Sequence, residues 1–105
     1  MKSITITQLS YIIAVSQARN FGLAAKACFI SQPTLSMQIQ KLEDDLGVTL
    51  FDRSKKPVEP TAMGKKIIAQ AQVVLQETNR IEEFIKEEKG EISGDFKLGI
   101  IPTLA

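Results

Sequence analysis

From Ala62 to Lys89 the chain carries no proline, and along that stretch Ile67, Ala71, Val74, Thr78, Ile81 and Ile85 follow one another at steps of four and three. That spacing puts all six side chains on one stripe of an α-helix, with Ile68 and Leu75 widening it. A helix over this stretch would be about 40 Å long at 1.5 Å per residue. Residues 1–61 make a head too small to cover such a rod, so the seam is expected to pair with the same helix of a second chain, giving a homodimer.

Composition narrows what the head can be. At 105 residues there is room for one small domain beside the rod, and 44% hydrophobic residues suffice for a packed core. No apolar run reaches the roughly 20 residues that span a bilayer. Met1-Lys2-Ser3-Ile4-Thr5 does not open a secretion signal, so a cytoplasmic protein with no membrane partner is expected. The single cysteine, Cys28, cannot form an internal disulfide and reads as a small core hydrophobe. There is no histidine. Without one, a zinc site or a histidine-based hydrolase has no foundation, and no nucleophile–base pair stands out; no catalytic residue, metal or cofactor is expected. Glu82, Glu83, Glu87 and Glu88 read as a solvated face of the rod, not as a metal site.

Within the head, helix signals come in quick succession. A first helix is expected from Thr7, as N-cap, to about Arg19. Leu9, Tyr11, Ile12, Ile13, Ala14 and Val15 make it apolar nearly all round, so it needs neighbours on two sides. Asn20 interrupts it, and a short second helix is expected from Gly22 to Cys28, with Phe21, Ala24, Ala25 and Cys28 on its buried stripe. After the tight Phe29-Ile30 connection, Ser31 is a strong N-cap and Pro33 falls in the first turn, where its missing N–H costs nothing. The third helix should run from Gln32 to Leu46 and stop at Gly47. Leu35, Ile39, Leu42 and Leu46 share its inner face; Pro33, Thr34, Met37, Gln40 and Lys41 share the outer one, with Ser36 on the flank.

Beyond Gly47 the period changes. Thr49 to Asp52 and Val58-Glu59 read as two short strands joined by Arg53-Ser54-Lys55-Lys56-Pro57, a basic hairpin tip, with Pro60 ending the second strand and Thr61 capping the rod. Net charge is only +1, but residues 1–61 hold seven Lys/Arg against five Asp/Glu, and three of the seven sit at that tip. Two short helices, a tight turn and a third helix with an uncharged, hydrogen-bonding outer edge make a helix-turn-helix; the basic hairpin is its wing. The B-DNA major groove admits one α-helix whose first residues reach base edges. Gln32, Thr34 and Ser36 could hydrogen-bond there, and Pro33 could touch thymine methyls. Ser31 and the helix N-terminus could meet phosphate, and Arg53, Lys55 and Lys56 could neutralise backbone charge or enter the minor groove. Lys26 and Lys41 read equally as phosphate contacts or as solvated lysines; Thr61 is first a helix cap and second a phosphate contact.

The run Ala24 to Gly47, containing Cys28-Phe29-Ile30-Ser31-Gln32-Pro33-Thr34-Leu35-Ser36, resembles the signature of LysR-type transcriptional regulators; Leu50-Phe51-Asp52-Arg53 and Thr61-Ala62-Met63-Gly64 extend the likeness over about residues 6–104. The family implies a dimer on an interrupted palindrome in promoter DNA, the rod being the linker helix that pairs two chains. A pair of dimers, and RNA polymerase as a partner, are further expectations for a full-length protein. The resemblance puts base contacts on Gln32, Pro33, Thr34 and Ser36 and the groove-inserting wing base on Lys56, with Met37 as an apolar neighbour where relatives often carry arginine. Gln38, with Lys26, Ser31, Lys41, Arg53, Lys55 and Thr61, joins the expected backbone contacts. Within the family the likeness leans to the peroxide-sensing OxyR branch, through the Cys28 to Ser36 run and Gly99-Ile100-Ile101-Pro102-Thr103.

The expected organisation is mainly α: a winged helix-turn-helix head over 1–61, a linker and dimerisation helix over 62–90, and over 91–105 a hinge and the first strand of an effector-binding domain, residues 95–101 having no partner strand within the sequence. The leading reading is a peroxide-responsive, DNA-binding activator. A LysR regulator responding to a small metabolite, and a protein-interaction module whose rod merely dimerises, are the alternatives.

Overall fold

The computed structural model describes residues 4–89. The strand expected over 95–101, and the stop expected at Gly90, lie outside the described residues. Four helices and a two-stranded antiparallel sheet follow in the order α1 (Ile6–Ala18), α2 (Phe21–Ala27), α3 (Gln32–Leu46), β1 (Phe51–Asp52), β2 (Glu59–Pro60) and α4 (Ala62–Glu88). The fold is mainly α, a winged helix-turn-helix followed by a long helix.

Local chemistry explains the helix ends. α1 begins two residues before the expected Thr7 cap, because Thr5 and Gln8 close a capping box: the Gln8 amide donates to Thr5 Oγ1 at 3.0 Å and the Thr5 amide to Gln8 Oε1 at 3.0 Å. Arg19 ends α1 in a left-handed conformation, φ 55°. Asn20 is more than an interruption, since its Oδ1 accepts the Leu23 amide at 2.8 Å and starts α2 one residue earlier than expected, at Phe21. Cys28 then caps the C-terminal end of α2 and is half-buried, not part of the core stripe assigned to it. α3 has the expected bounds: Ser31 caps it, Pro33 lies in the first turn, and Gly47 closes it at φ 72°, a backbone angle that favours glycine.

The core forms where these helices meet. Ile12 and Val15 of α1, Phe21, Ala24 and Ala25 of α2, and Leu35, Ile39 and Leu42 of α3 are buried together with Leu50 and Phe51, while Leu46 is half-buried against them. The two alanines let the helices approach closely. Phe21 meets Phe51 edge-to-face, centroids 6.0 Å apart, fastening α2 to the sheet.

β1 is two residues shorter than expected, and β2 keeps its two residues but lies one position later; they pair Phe51 to Pro60 and Asp52 to Glu59. Pro60 lies inside β2 rather than ending it. Having no N–H, it leaves the next link to Thr61, whose amide donates to the Leu50 carbonyl at 2.9 Å. The Lys56–Pro57 peptide is cis.

Thr61 also launches α4, as expected: its Oγ1 accepts the Gly64 amide at 2.9 Å and donates to the Thr49 carbonyl at 2.6 Å. Gly64 is required by contact rather than by φ, because a Cβ there would lie 2.9 Å from the Leu50 carbonyl carbon and collide with its oxygen. α4 then enters the core through Ile68 and Ala71, flanked by Ile67 and Val74, and residues up to Leu75 form one compact unit. The first half of the predicted inter-chain seam is therefore occupied within its own chain, Ala71 being 2% exposed. Further along, Thr78 is half-buried, and Ile81, Phe84 and Ile85 are exposed at 61%, 57% and 52%.

Candidate nucleic-acid interface

The leading edge of α3 lies at the surface. Ser31, Gln32, Pro33 and Thr34 are exposed, Met37 is 63% exposed, and Ser36 and Gln38 are half-buried beside them. A shallow groove runs along Gln32, Pro33, Ser36, Met37, Gln40 and Lys41, reaching Asp44 and Asp45 at its far end. This edge follows from the helix period, since Leu35, Ile39 and Leu42 take the opposite face into the core. The first turn is held by Ser31, whose Oγ accepts the Thr34 amide at 3.3 Å and donates to Thr34 Oγ1 at 2.8 Å. Gln40 Nε2 donates to Asp44 Oδ1 at 3.1 Å, so its amide is partly committed along the helix. Lys26, in the last turn of α2, and Lys41 are exposed.

The wing is shaped by Asp52. Its Oδ1 accepts the Ser54 amide at 3.0 Å and the Ser54 hydroxyl at 2.5 Å, which turns the chain at the end of β1. Those bonds, the hydroxyl first, hold the Asp52 carboxyl below the usual 3.8; Lys55 adds to the effect and slight desolvation opposes it. Lys55 and Lys56 follow, exposed and in no ion pair among the described residues.

Arg53 sits differently from its two neighbours. Its Nη1 donates to Ser36 Oγ at 2.9 Å, its Nη2 lies 3.5 Å from Glu43 Oε1, and its guanidinium lies over the Phe21 ring at 4.6 Å. The arginine expected on phosphate thus bridges the wing and α3. Glu43, 6% exposed, is the anchor of this bridge: its Oε2 accepts the amides of Leu50 at 2.7 Å and Phe51 at 3.3 Å. Sequence reading missed Glu43, and also missed the Arg19–Glu59 ion pair at 3.5 Å, which with the Val58 amide on the Arg19 carbonyl ties β2 to the end of α1. Thr61, expected first as a cap and second as a phosphate contact, uses its hydroxyl for both Gly64 and Thr49, so that group is committed within the fold.

A family model described as "Bacterial regulatory helix-turn-helix protein, lysR family" matches residues 6–65, from the first residue of α1 into the first turn of α4. The chain belongs to the LysR family. Among LysR relatives, the DNA-binding transcriptional dual regulator OxyR of Escherichia coli K12 is 41% identical over 99 residues, 94% of this chain and 32% of the relative. The regulator EstR of Acinetobacter baylyi is 37% identical over 101 residues, 96% of this chain and 34% of the relative. Solved structures agree. Full-length OxyR from Pseudomonas aeruginosa superposes with a TM-score of 0.78 at 47% identity, covering 83% of this chain and 30% of that one. The BenM DNA-binding domain on its catB site 1 DNA gives 0.79 at 30% identity, covering 88% and 100%. The chain spans about a third of the length of the curated LysR regulators it matches. The family is one of transcription regulators. Among the described residues, no helix is long and apolar enough to cross a membrane, and no three His, Cys, Asp or Glu side chains are grouped so as to hold a metal ion.

Proposed function

We propose that this LysR-type chain reads promoter DNA as a homodimer, laying the Gln32 to Met37 edge of α3 in the major groove and the Lys55-Lys56 tip in the adjacent minor groove. The observation that carries this is the pairing of two surfaces on one compact head: an uncharged, hydrogen-bonding helix edge, and a lysine tip in no ion pair among the described residues. Gln32, Thr34 and Ser36 supply polar contacts to base edges, while Pro33 and Met37 supply apolar contact suited to thymine methyls. Lys26, Ser31, Gln38 and Lys41 flank that edge and meet phosphates. Met37 is the one large apolar side chain on it, too little for a protein-docking face.

Two copies pair through the distal part of α4, where Ile81, Phe84 and Ile85 leave apolar surface open to a like helix. A symmetric dimer matches a palindromic site, one head per half-site. The 41% identity to proteins named hydrogen peroxide-inducible genes activators supports a peroxide-responsive regulator working in the cytoplasm.

The test is a selection from randomised duplex DNA followed by anisotropy titration at several salt concentrations. A palindromic sequence is expected, with affinity falling steeply as salt rises. Lys55→Glu together with Lys56→Glu should weaken binding to all duplexes and reduce the salt slope by about two. Weak, salt-independent binding to every duplex would remove the DNA reading.

A further inference from the structure

The Arg53–Ser36 bond has a consequence for which bases the recognition helix takes. A guanidinium carries donors only, so at 2.9 Å from Nη1 the Ser36 oxygen must be the acceptor. The cation occupies one lone pair of the hydroxyl and repels its proton, which turns away from Arg53. Elsewhere in the head, helical serines return that proton to their own helix: Ser10 donates to the Ile6 carbonyl at 3.2 Å and Ser16 to the Ile13 carbonyl at 2.7 Å. Ser36 donates to no atom among the described residues, and its side chain lines the groove with Gln32, Pro33 and Met37.

Arg53 is held in place from three sides. Phe21 lies under the guanidinium, Ser36 takes one nitrogen, and Glu43 stands beside the other while its second oxygen is fixed by the Leu50 and Phe51 amides. The donor is therefore aimed at Ser36 before any nucleic acid arrives.

We infer that Arg53 is a specificity-positioning residue: anchored by Glu43, it fixes Ser36 as a hydrogen-bond donor, so that Ser36 selects a base edge presenting an acceptor. This rests on the proposed reading of DNA by α3. In the major groove the acceptors are guanine O6 and N7, adenine N7 and thymine O4, whereas the amino groups of adenine and cytosine are donors and meet a hydroxyl with one lone pair already taken by a cation, so they are disfavoured. A serine without Arg53 could turn its lone pairs outward and accept from those amino groups.

The test uses the 105-residue chain and duplexes enriched from a randomised library. The position read by Ser36 is where Ser36→Ala relaxes the selection. At that position the enriched duplex is remade with one group at a time lost: the N7 acceptor (7-deazapurine), the O6 acceptor of guanine (6-thioguanine, a poor acceptor), the O4 acceptor of thymine, or an exocyclic amino group. In the wild type, loss of the acceptor should weaken binding about five- to tenfold, and loss of the amino group should leave it unchanged. Arg53→Met, which keeps a long side chain over Phe21 but has no donor, should shrink the acceptor penalty to less than about twofold. Arg53→Lys, still a donor-only cation, should restore most of it.

A wild-type penalty for losing the amino group overturns the inference, as does an acceptor penalty that survives intact in Arg53→Met. If Arg53→Met does not fold, the wild-type duplex series tests the donor state of Ser36, and Arg53→Gln, whose neutral amide does not repel the hydroxyl proton, tests the cation: its acceptor penalty should fall below the wild-type value, and an unchanged penalty overturns the inference. Enrichment of a sequence that Ser36→Ala selects just as sharply overturns this inference and leaves the DNA reading standing. No enrichment at all overturns both.

Discussion

Replacing Glu43 by alanine should unlock the wing. The side chain is 7% exposed, and its loss strands the amides of the buried Leu50 and Phe51, now bonded at 2.7 and 3.3 Å. An unsatisfied buried amide costs roughly 1–3 kcal/mol, and the longer Phe51 bond belongs at the low end. The Arg53 contact adds little, about 0.5 kcal/mol, because its 3.5 Å separation and the 36% exposure of the arginine leave it screened by solvent. Glu43→Ala should therefore cost about 3 kcal/mol. Glu43→Gln keeps an oxygen for both amides and should cost about 1 kcal/mol. A head that packs as one unit through Leu75 loses roughly 4–8 °C of Tm per kcal/mol, so alanine should lower Tm by about 12–24 °C and glutamine by about 4–8 °C. Circular dichroism melts and urea midpoints measure both. If alanine costs less than about 1 kcal/mol, or glutamine as much as alanine, the buried carboxylate does not hold the strand and the reasoning fails.

Other perturbations probe separate parts. Gly64→Ala should cost about 1–3 kcal/mol by overpacking against the Leu50 carbonyl, despite alanine's better helix propensity; an unchanged urea midpoint would refute that close approach. Ile81→Glu with Ile85→Glu, both at exposed positions, should give monomers by sedimentation with the head's Tm unmoved, and persistent dimers would place the pairing surface elsewhere. Asp52, its carboxyl lowered by Ser54, should hold the wing turn at and above pH 3.8 and release it only as pH falls through the lowered value; the Ser54 amide resonance should shift in that acid range and stay still above it.

Much of this architecture was legible because local chemistry decided it. Ser31, Pro33 and Gly47 bracket α3 with the strongest start and stop signals in the chain, and the bounds follow to the residue. Thr5 and Thr7 are equal as caps by residue type; Gln8, three residues after Thr5, completes a capping box with Thr5 alone and so starts α1 there. Cys28 shares the helical stripe of Phe21, Ala24 and Ala25, but the stripe ends where the helix does, and capping lifts Cys28 out of the core. Glu43 could not be recognised. It stands beside Asp44 and Asp45 in what reads as a solvated acidic run, and the amides it binds come from a strand whose approach is fixed only by tertiary packing. The bridging role of Arg53 was hidden for the same reason, since its partners lie 10 and 17 residues away along the chain.

The sharing of α4 bears on anyone who would transplant this head. Cutting after Thr61, where head and rod meet in the sequence, would strip Ile68 and Ala71 from the interior and leave Leu50 facing an open trench in place of Gly64. A portable module has to carry the helix through Leu75, so whatever is fused behind it inherits a fixed helical phase. Adding or removing a single residue at that junction rotates the cargo by about 100°, which makes linker length in a chimera a matter of angle as much as of reach.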